Sequence, residues 1–586
     1  MGRFVIPKQV DVNSSGSPYS GAKYNFYISG TTTRKDTYSD STLTTLNANP
    51  VIADGAGRLP NIFLSGTYKL VVTDSNDVEI YSADPVGDIS PAGNSTYIID
   101  TTTNMLATDL SNYTQVESYG YTTQGDGGGA PWVKVSGTGT PGTTDFANGV
   151  LYDGAGNKWQ INVTILNVKM FGATGDGVTD DYTAIQSALD LAPSADMIVY
   201  FPNGEYKVTS TLLIQINGIS ILGSGSRTTS ILHSGEYGDT IYLARTTPTT
   251  SRIGFVTIQD LRFTIDTSAT IPTSGAHIHA IRPQNCVFRN LNISEGFGGM
   301  RFQGGAQVIC SDLMISSGLN YTSLEDDSYL VKLESATTSG SNEMPSEYTF
   351  SNFDIRSSNA YIENAVVIEA SDGIWFTGGH IGFTSAACLY VNPTVATDSL
   401  NGINFCNVHF DGNLETLRGV HYEETSVGFH TGANYGHTYT GCQFSINASQ
   451  GMHLDIDSLS GIEIVGGRCN ANGGAPGWGF KLIRGSGITV SGISVSSNGD
   501  NTSGSGHILI ENDVSNVNVS ASIFQASSYR GVQITGTTDN IVVDGIFTGL
   551  NASGSDCVSS SSGLNNRFTG TTDRSVSIAG SSTLSV

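Results

Sequence analysis

The feature that most constrains this chain is a four-residue phrase, small, apolar, any, apolar. It returns as Gly299-Met-Arg-Phe, Ala387-Cys-Leu-Tyr, Gly419-Val-His-Tyr, Gly451-Met-His-Leu, Gly479-Phe-Lys-Leu, Gly506-His-Ile-Leu and Gly531-Val-Gln-Ile, and from Gly419 onward its copies lie 25 to 32 residues apart. A second phrase accompanies it, as in Gly373-Ile-Trp-Phe-Thr-Gly-Gly-His-Ile, Gly402-Ile-Asn-Phe-Cys-Asn-Val-His-Phe and Gly461-Ile-Glu-Ile-Val-Gly-Gly-Arg-Cys. Each is apolar on one side with period two and breaks at Gly or Asn, where the backbone must turn. A strand returning at constant phase, with no hairpin partner between copies, stacks in parallel on its own previous copy at about 4.8 Å. The expected fold is all-β: a right-handed parallel β-helix with small N-terminal β domains and one capping helix. A sandwich or barrel would need Greek-key spacing instead of a fixed pair of phrases per repeat.

Composition points the same way. The 586 residues include 71 Gly and only 13% charged side chains, unlike a long-helix protein. With 27 basic against 52 acidic residues the formal charge is -25, which repels phosphate backbones, so no nucleic-acid partner is expected. Seven cysteines, scattered and without a CxxC pair, suggest neither a disulfide framework nor a zinc knuckle. No metal or cofactor is expected. No stretch approaches the roughly 20 apolar residues that span a bilayer, and no export signal is read at the start, so no membrane insertion is expected.

Four segments follow. Residues 1–95 alternate short strand-like runs with turns and read as a small all-β domain; 96–163 read as a second β module, a neck or linker. Residues 164–548 form the periodic body, and 549–586, rich in Gly, Ser and Thr, a terminal segment too short to fold alone. The one helix expected follows Gly175-Asp-Gly-Val-Thr-Asp-Asp, with Thr179 or Asp180 as cap and Ala184, Ile185, Ala188 and Leu189 as apolar stripe. It is placed to cover the open end of the stack.

The run Gly175-Asp-Gly-Val-Thr-Asp-Asp-Tyr-Thr-Ala-Ile resembles the opening of the pectate-lyase-like superfamily of β-helices, where such a run leads into the capping helix. Gly125-Asp-Gly-Gly-Gly-Ala and Gly156-Asn-Lys-Trp resemble the neck that precedes this opening in phage tailspikes. Asn49-Pro-Val-Ile-Ala-Asp-Gly-Ala-Gly-Arg and Gly66-Thr-Tyr-Lys-Leu-Val-Val-Thr-Asp-Ser-Asn are similar to the virion-binding domain of short-tailed phage tailspikes. The resemblance implies a homotrimer on the virion, held to phage tail or adaptor proteins by its N-terminal domain. It implies binding, and commonly cleavage, of a bacterial surface polysaccharide: O-antigen, capsule or exopolysaccharide. Read from its own residues, the terminal segment, with alternating Val576 and Ile578, is either a strand docked onto neighbouring protomers or a frayed tail.

Side chains alternate along a strand, so the variable position of each phrase points away from the coil and stacks in a column. One column reads Arg301, Leu389, His421, His453, Lys481; two residues on, another reads Gln303, Val391, Glu423, Asp455, Ile483. Glu423, Asp455 and Asp457 are therefore the expected catalytic carboxylates of an endo-glycosidic hydrolase, since paired carboxylates one coil apart are near the spacing such enzymes use. Charge repulsion would leave one of them proton-loaded as acid. His421, His453 and Glu424 would contact sugar, or a histidine would serve as base in a lyase. A second column, His380, His409, Gln443 and Arg468 with Asp411 beside it, and Trp375 as a stacking platform, complete the expected sugar contacts. The bland reading is a solvated or interfacial set of salt bridges. Binding without cleavage, or a secreted pectinase-like enzyme, are the other functional readings. His277 and His279 form an imidazole pair without a third ligand in view.

Overall fold

The computed structural model describes residues 2–3, 12, 15–87, 96–192, 198–235, 238–267, 273–317, 325–338, 342–357, 362–395, 398–412, 417–424, 434–473, 477–499, 505–525, 530–548, 555–559, 565–572, 576–578 and 583–584. Contacts divide the chain into two units, 1–97 with 112–116, and 98–111 with 117–586.

In the first unit, Lys23–Ile28, Val51–Ile52, Thr67–Thr73 and Glu79–Gly87 form an antiparallel sheet over a core that includes Phe26, Ile62, Tyr68 and Leu70. The polar phrases of this region are structural. Asn49 donates to the Phe26 and Lys35 carbonyls at 2.8 and 2.9 Å, and Asp54 accepts from the Ala56 and Arg58 amides, both at 2.9 Å.

The second unit begins with a small sheet whose strands Pro131–Thr138, Thr144–Asp145, Val150–Tyr152 and Asn157–Ile161 are antiparallel. Its glycine turn is organised by Asp126, which accepts amides of Tyr121, Thr122, Thr123 and Gly128. A short helix, α1 (Thr102–Ala107), capped by Thr101, also lies here. It has no periodic signature, so the expectation of a single helix was one too few.

From Ile165 onward the chain is a right-handed parallel β-helix. One coil runs Arg418–Glu423 on a first face, Asn434–Thr440 on a second and Gln443–Ser445 on a third; the next coil lies parallel, in register, on all three. The corner between second and third faces turns on a left-handed residue, as at Asn352 (φ 51°), Gly378 (60°), Asn407 (53°), Gly441 (65°) and Gly466 (68°), the last followed by a second at Gly467 (87°). Only Gly, or a short amide that bonds locally, takes this conformation cheaply, so the Gly/Asn breaks of the sequence are these corners. The Gly that opens each first-face strand has a different cause. A Cβ on Gly419 would meet Gly451 O at 2.6 Å and Asn447 Nδ2 at 2.8 Å; one on Gly451 would meet Gly479 O at 2.7 Å and Asn472 Nδ2 at 2.9 Å. Those asparagines form a buried ladder, Asn447 donating to Asn472 at 2.7 Å and Asn472 to Asn498 at 2.9 Å.

Inside, Phe350, Phe376, Phe405 and Tyr439 stack on successive coils with centroids 4.5, 4.8 and 5.1 Å apart. The coil rise is thus filled with aromatic faces. Helix α2 (Tyr182–Leu191) buries Ile185, Ala188, Leu189 and Leu191, and Gln186 exchanges two hydrogen bonds with the backbone of Leu213, both 2.9 Å, closing a sheet edge. Asp181, not Thr179 or Asp180, occupies the cap position, but its carboxylate turns back to the Thr174 and Gly175 amides; Asp180 instead accepts from Tyr182 N at 3.1 Å. The ladder does not stop at residue 548: Ser555–Ser559, Arg567–Thr572, Val576–Ile578 and Thr583–Leu584 continue it.

Candidate functional site on the first face

Parallel register places Arg301, Lys332, Val367, Tyr390, His421, His453 and Lys481 in one outward column of the first face. The expected Leu389 is replaced by Tyr390. Ala387-Cys-Leu-Tyr and Cys388-Leu-Tyr-Val both satisfy the phrase, and the ladder uses the second, burying Leu389. In the adjacent column Glu423 pairs Asp455 as expected, but a register shift then brings Arg484, not Ile483, opposite Asp455; Val391 pairs Tyr422 and is buried.

Around Glu423 these strands assemble a polar cluster. The Glu423 side chain is 40% exposed. Tyr390 Oη donates to Glu423 Oε2 at 3.0 Å and is itself held by Asn392 Nδ2 at 2.9 Å. His421 is 6% and His453 7% exposed, and their rings stack at 5.0 Å. Burial, reinforced by the Arg418 charge, lowers His421 to about 2 and His453 to about 3, so both imidazoles are neutral. Arg418 Nη1 lies 3.4 Å from His421 Nδ1. Since guanidinium can only donate, His421 carries its proton on Nε2, which faces Glu423 Oε2 at 3.8 Å. Asp455 is ion-paired by Arg484, which also donates to the Asp455 carbonyl at 3.0 Å. The two carboxylates therefore have separate roles: Asp455 is engaged, and Glu423 is presented.

Among the described residues, several buried polar atoms here find no protein partner: Asn392 Oδ1, Arg418 Nε, Gln450 Oε1 and both ring nitrogens of His453. Each such group costs about 1–3 kcal/mol unless something hydrogen-bonds to it. Their concentration beside one exposed carboxylate is what a polyhydroxylated ligand satisfies. Of the other expected residues, Glu424 is buried at 6% exposure, its amide donating to Asp455 O at 3.2 Å, so it is not presented to a sugar. The Asp457 side chain lies outside the described residues.

The remaining candidates lie elsewhere. His380, His409, Gln443 and Arg468 do form one column, on the third face. There His380 Nδ1 is 3.7 Å from Asp354 and Nε2 3.8 Å from Asp411, and burial lowers its pKa. A cavity of 310 Å³ adjoins, lined in part by Arg227, Asn290, Asn352 and Asp354. Trp375 is on the second face, 42% exposed, paired with Asn404. His277 and His279 use all four ring nitrogens, with Thr240, the Glu295 carbonyl, Asp239 and Gln303 as partners. Among the described residues no group of three His, Cys, Asp or Glu side chains could hold a metal.

Tyr390, Asn392, Arg418, Gln450 and Arg484 were missed by sequence. Arg418 and Gln450 each precede the small residue of their phrase and share a register position. Reading that extra column would have found them; Arg484 needed the register shift.

Residues 165–366 match the family profile described as Rhamnogalacturonase A/epimerase, pectate lyase-like. Curated relatives include a glucan 1,3-beta-glucosidase of Cochliobolus carbonum, 36% identical over 101 residues, 16% of this chain and 13% of that protein. Alginate lyase 7 of Azotobacter vinelandii is 47% identical over 73 residues, 11% of this chain and 8% of its own. The chain thus spans only a small part of the relatives it matches. Among solved structures, the enzymatically active domain of bacteriophage CBA120 tailspike protein 2 is 16% identical with a TM-score of 0.40, covering 76% of this chain and 57% of that one. The profile match lies on the first coils of the ladder, so residues 165–366 are similar to the pectate-lyase-like family.

Proposed function

We propose that this chain is a phage tailspike that binds a bacterial surface polysaccharide along the first face of its β-helix and cleaves it there. The observation that carries this reading is the exposed Glu423 carboxylate set among buried polar atoms without protein partners. Glu423, oriented by Tyr390, acts on the glycosidic bond as acid–base or nucleophile; Asp455, held by Arg484, is its electrostatic counterpart one coil on. Asp457 stays in the proposal as a further carboxylate of the same strand. The curated relatives above are named for action on polysaccharides, which supports the substrate class. Attachment of residues 1–95 to the phage tail, the neck at 96–163 and the homotrimer belong to the same proposal and rest on the sequence resemblance; the docking role of 549–586 belongs to it too and rests on the alternating Val576 and Ile578.

One observation favours a second reaction. Both ring nitrogens of His453 find no partner among the described residues, which leaves either open to a substrate proton in β-elimination, although burial weakens the ring as a base. The deciding experiment incubates wild type, Glu423→Gln and His453→Gln with polysaccharide from a susceptible host and follows product size and absorbance at 235 nm. Hydrolysis predicts shortening without absorbance and loss of activity in Glu423→Gln; elimination predicts rising absorbance and dependence on His453. Shortening by both variants at the wild-type rate would remove the first face as the active site.

A further inference from the structure

We propose that Arg418 is the specificity determinant of this site and takes an anionic substituent, a carboxylate or a phosphate ester, carried by the polysaccharide. The proposal rests on the first face being the glycan site. Every other cation named in this face's outward columns has a carboxylate within 4 Å: Arg301 with Glu334, Lys332 with Glu369, Lys481 with Glu511 and Arg484 with Asp455. Arg418 has none. Its Nη1 meets an uncharged imidazole at 3.4 Å and its Nε meets no protein group. Asp455 is taken by Arg484, and Glu423 accepts from Tyr390, so neither closes an ion pair with it.

A half-buried guanidinium with no carboxylate in direct contact is costly to maintain: burial weakens its charged form, and Glu423 and Asp455 offset this only in part and from a distance. Its planar fork of N–H groups is the side chain best matched to a two-oxygen anion. The neighbouring open groups are of a different kind. His453, Gln450 and Asn392 are uncharged and suit hydroxyls, not charge. The cluster therefore divides a sugar ring chemically, one anionic corner at Arg418 and hydroxyl corners elsewhere. A chain of formal charge -25 repels an acidic polymer overall, so recognition of one requires a dedicated local cation. Arg418 is that cation.

The test measures affinity of the full chain for host polysaccharide in three forms: native, carboxyl-reduced with carbodiimide and borohydride, and freed of phosphate esters with hydrofluoric acid. Wild type is expected to bind one stripped form about 10- to 100-fold more weakly than native, the strength of a charge-assisted hydrogen bond. Which treatment does so distinguishes carboxylate from phosphate. Arg418→Gln is expected to lose the same factor on native polymer and nothing further on that stripped form, with Arg418→Lys intermediate because a point charge lacks the fork. Equal wild-type affinity for all three forms overturns the proposal while leaving the glycan site in place, and this arm needs no variant that must fold. Equal losses by Arg418→Gln on native and stripped polymer overturn it too, marking the arginine as structural. A wild-type chain that binds no form removes the first-face reading itself.

Discussion

The first and third faces are built from the same coils and carry histidines at repeating outward positions, yet the two columns meet opposite surroundings. On the first face His421 and His453 are 6% and 7% exposed, stacked, and accompanied by Arg418 and Tyr390. On the third, His409 is exposed and His380 is bracketed by Asp354 and Asp411 at 3.7 and 3.8 Å. Register makes columns on every face; the environment of each column decides its chemistry. A cation beside a neutral imidazole leaves a place for an anion or a proton acceptor. Two carboxylates near an imidazole oppose the lowering that burial imposes, although His380 Nε2 makes no hydrogen bond among the described residues.

The sharpest way to break this comparison is to exchange carboxylates. Glu423→Gln is expected to lower kcat by about 10²–10⁴-fold, the usual worth of an acid–base group, whereas Asp411→Asn is expected to leave kcat unchanged. The reverse ranking in a single-turnover cleavage assay would move catalysis to the third face.

Next comes the shared interior. Phe405 lies in the aromatic stack between Phe376 and Tyr439, so Phe405→Ala is expected to cost about 3–5 kcal/mol and to weaken both faces together. Thermal unfolding with independent probes on the two faces measures this; loss confined to one face would mean that the faces unfold separately.

The pH dependence sharpens the comparison further. His421 and His453 are depressed to about 2 and about 3 in the folded chain against about 6.5 unfolded. Below pH 6.5 the unfolded chain therefore binds more protons, and stability falls as pH falls, by about 1.4 kcal/mol per pH unit for each histidine until its folded pKa is approached. His453→Gln is expected to flatten the slope of unfolding free energy between pH 6.5 and 4. His380→Gln is expected to flatten it less, because Asp354 and Asp411 favour its charged form.

The smallest effect expected is at Trp375, 42% exposed on the second face. Trp375→Ala should change neither unfolding nor cleavage measurably; a raised KM with kcat intact would show that the glycan crosses from one face to the next.

Much of this was legible in the residues. Strand periodicity, glycine corners and the capping run announced stacked coils, and the pairings of Glu423 with Asp455, and of His380 with His409, follow from counting along the phrases. What counting cannot see is a one-residue choice of frame, as at Ala387 and Cys388, or a bulge, as between Leu454 and Asp455 in their pairing with the next coil. A one-residue slip turns an outward side chain inward, which is why Leu389 gave way to Tyr390 and Ile483 to Arg484.

The amino-acid sequence by itself therefore determined the architecture, because period-two alternation and left-handed corner residues are local properties of the backbone that repeat with every coil. Only the tertiary structure decided which outward residues work together. Burial, ion pairing and orphaned hydrogen-bonding groups arise between coils: Arg484 reaches Asp455 across 29 residues of sequence, and Tyr390 reaches Glu423 across 33. No periodicity encodes whether a column so formed is covered, paired or left open for a ligand.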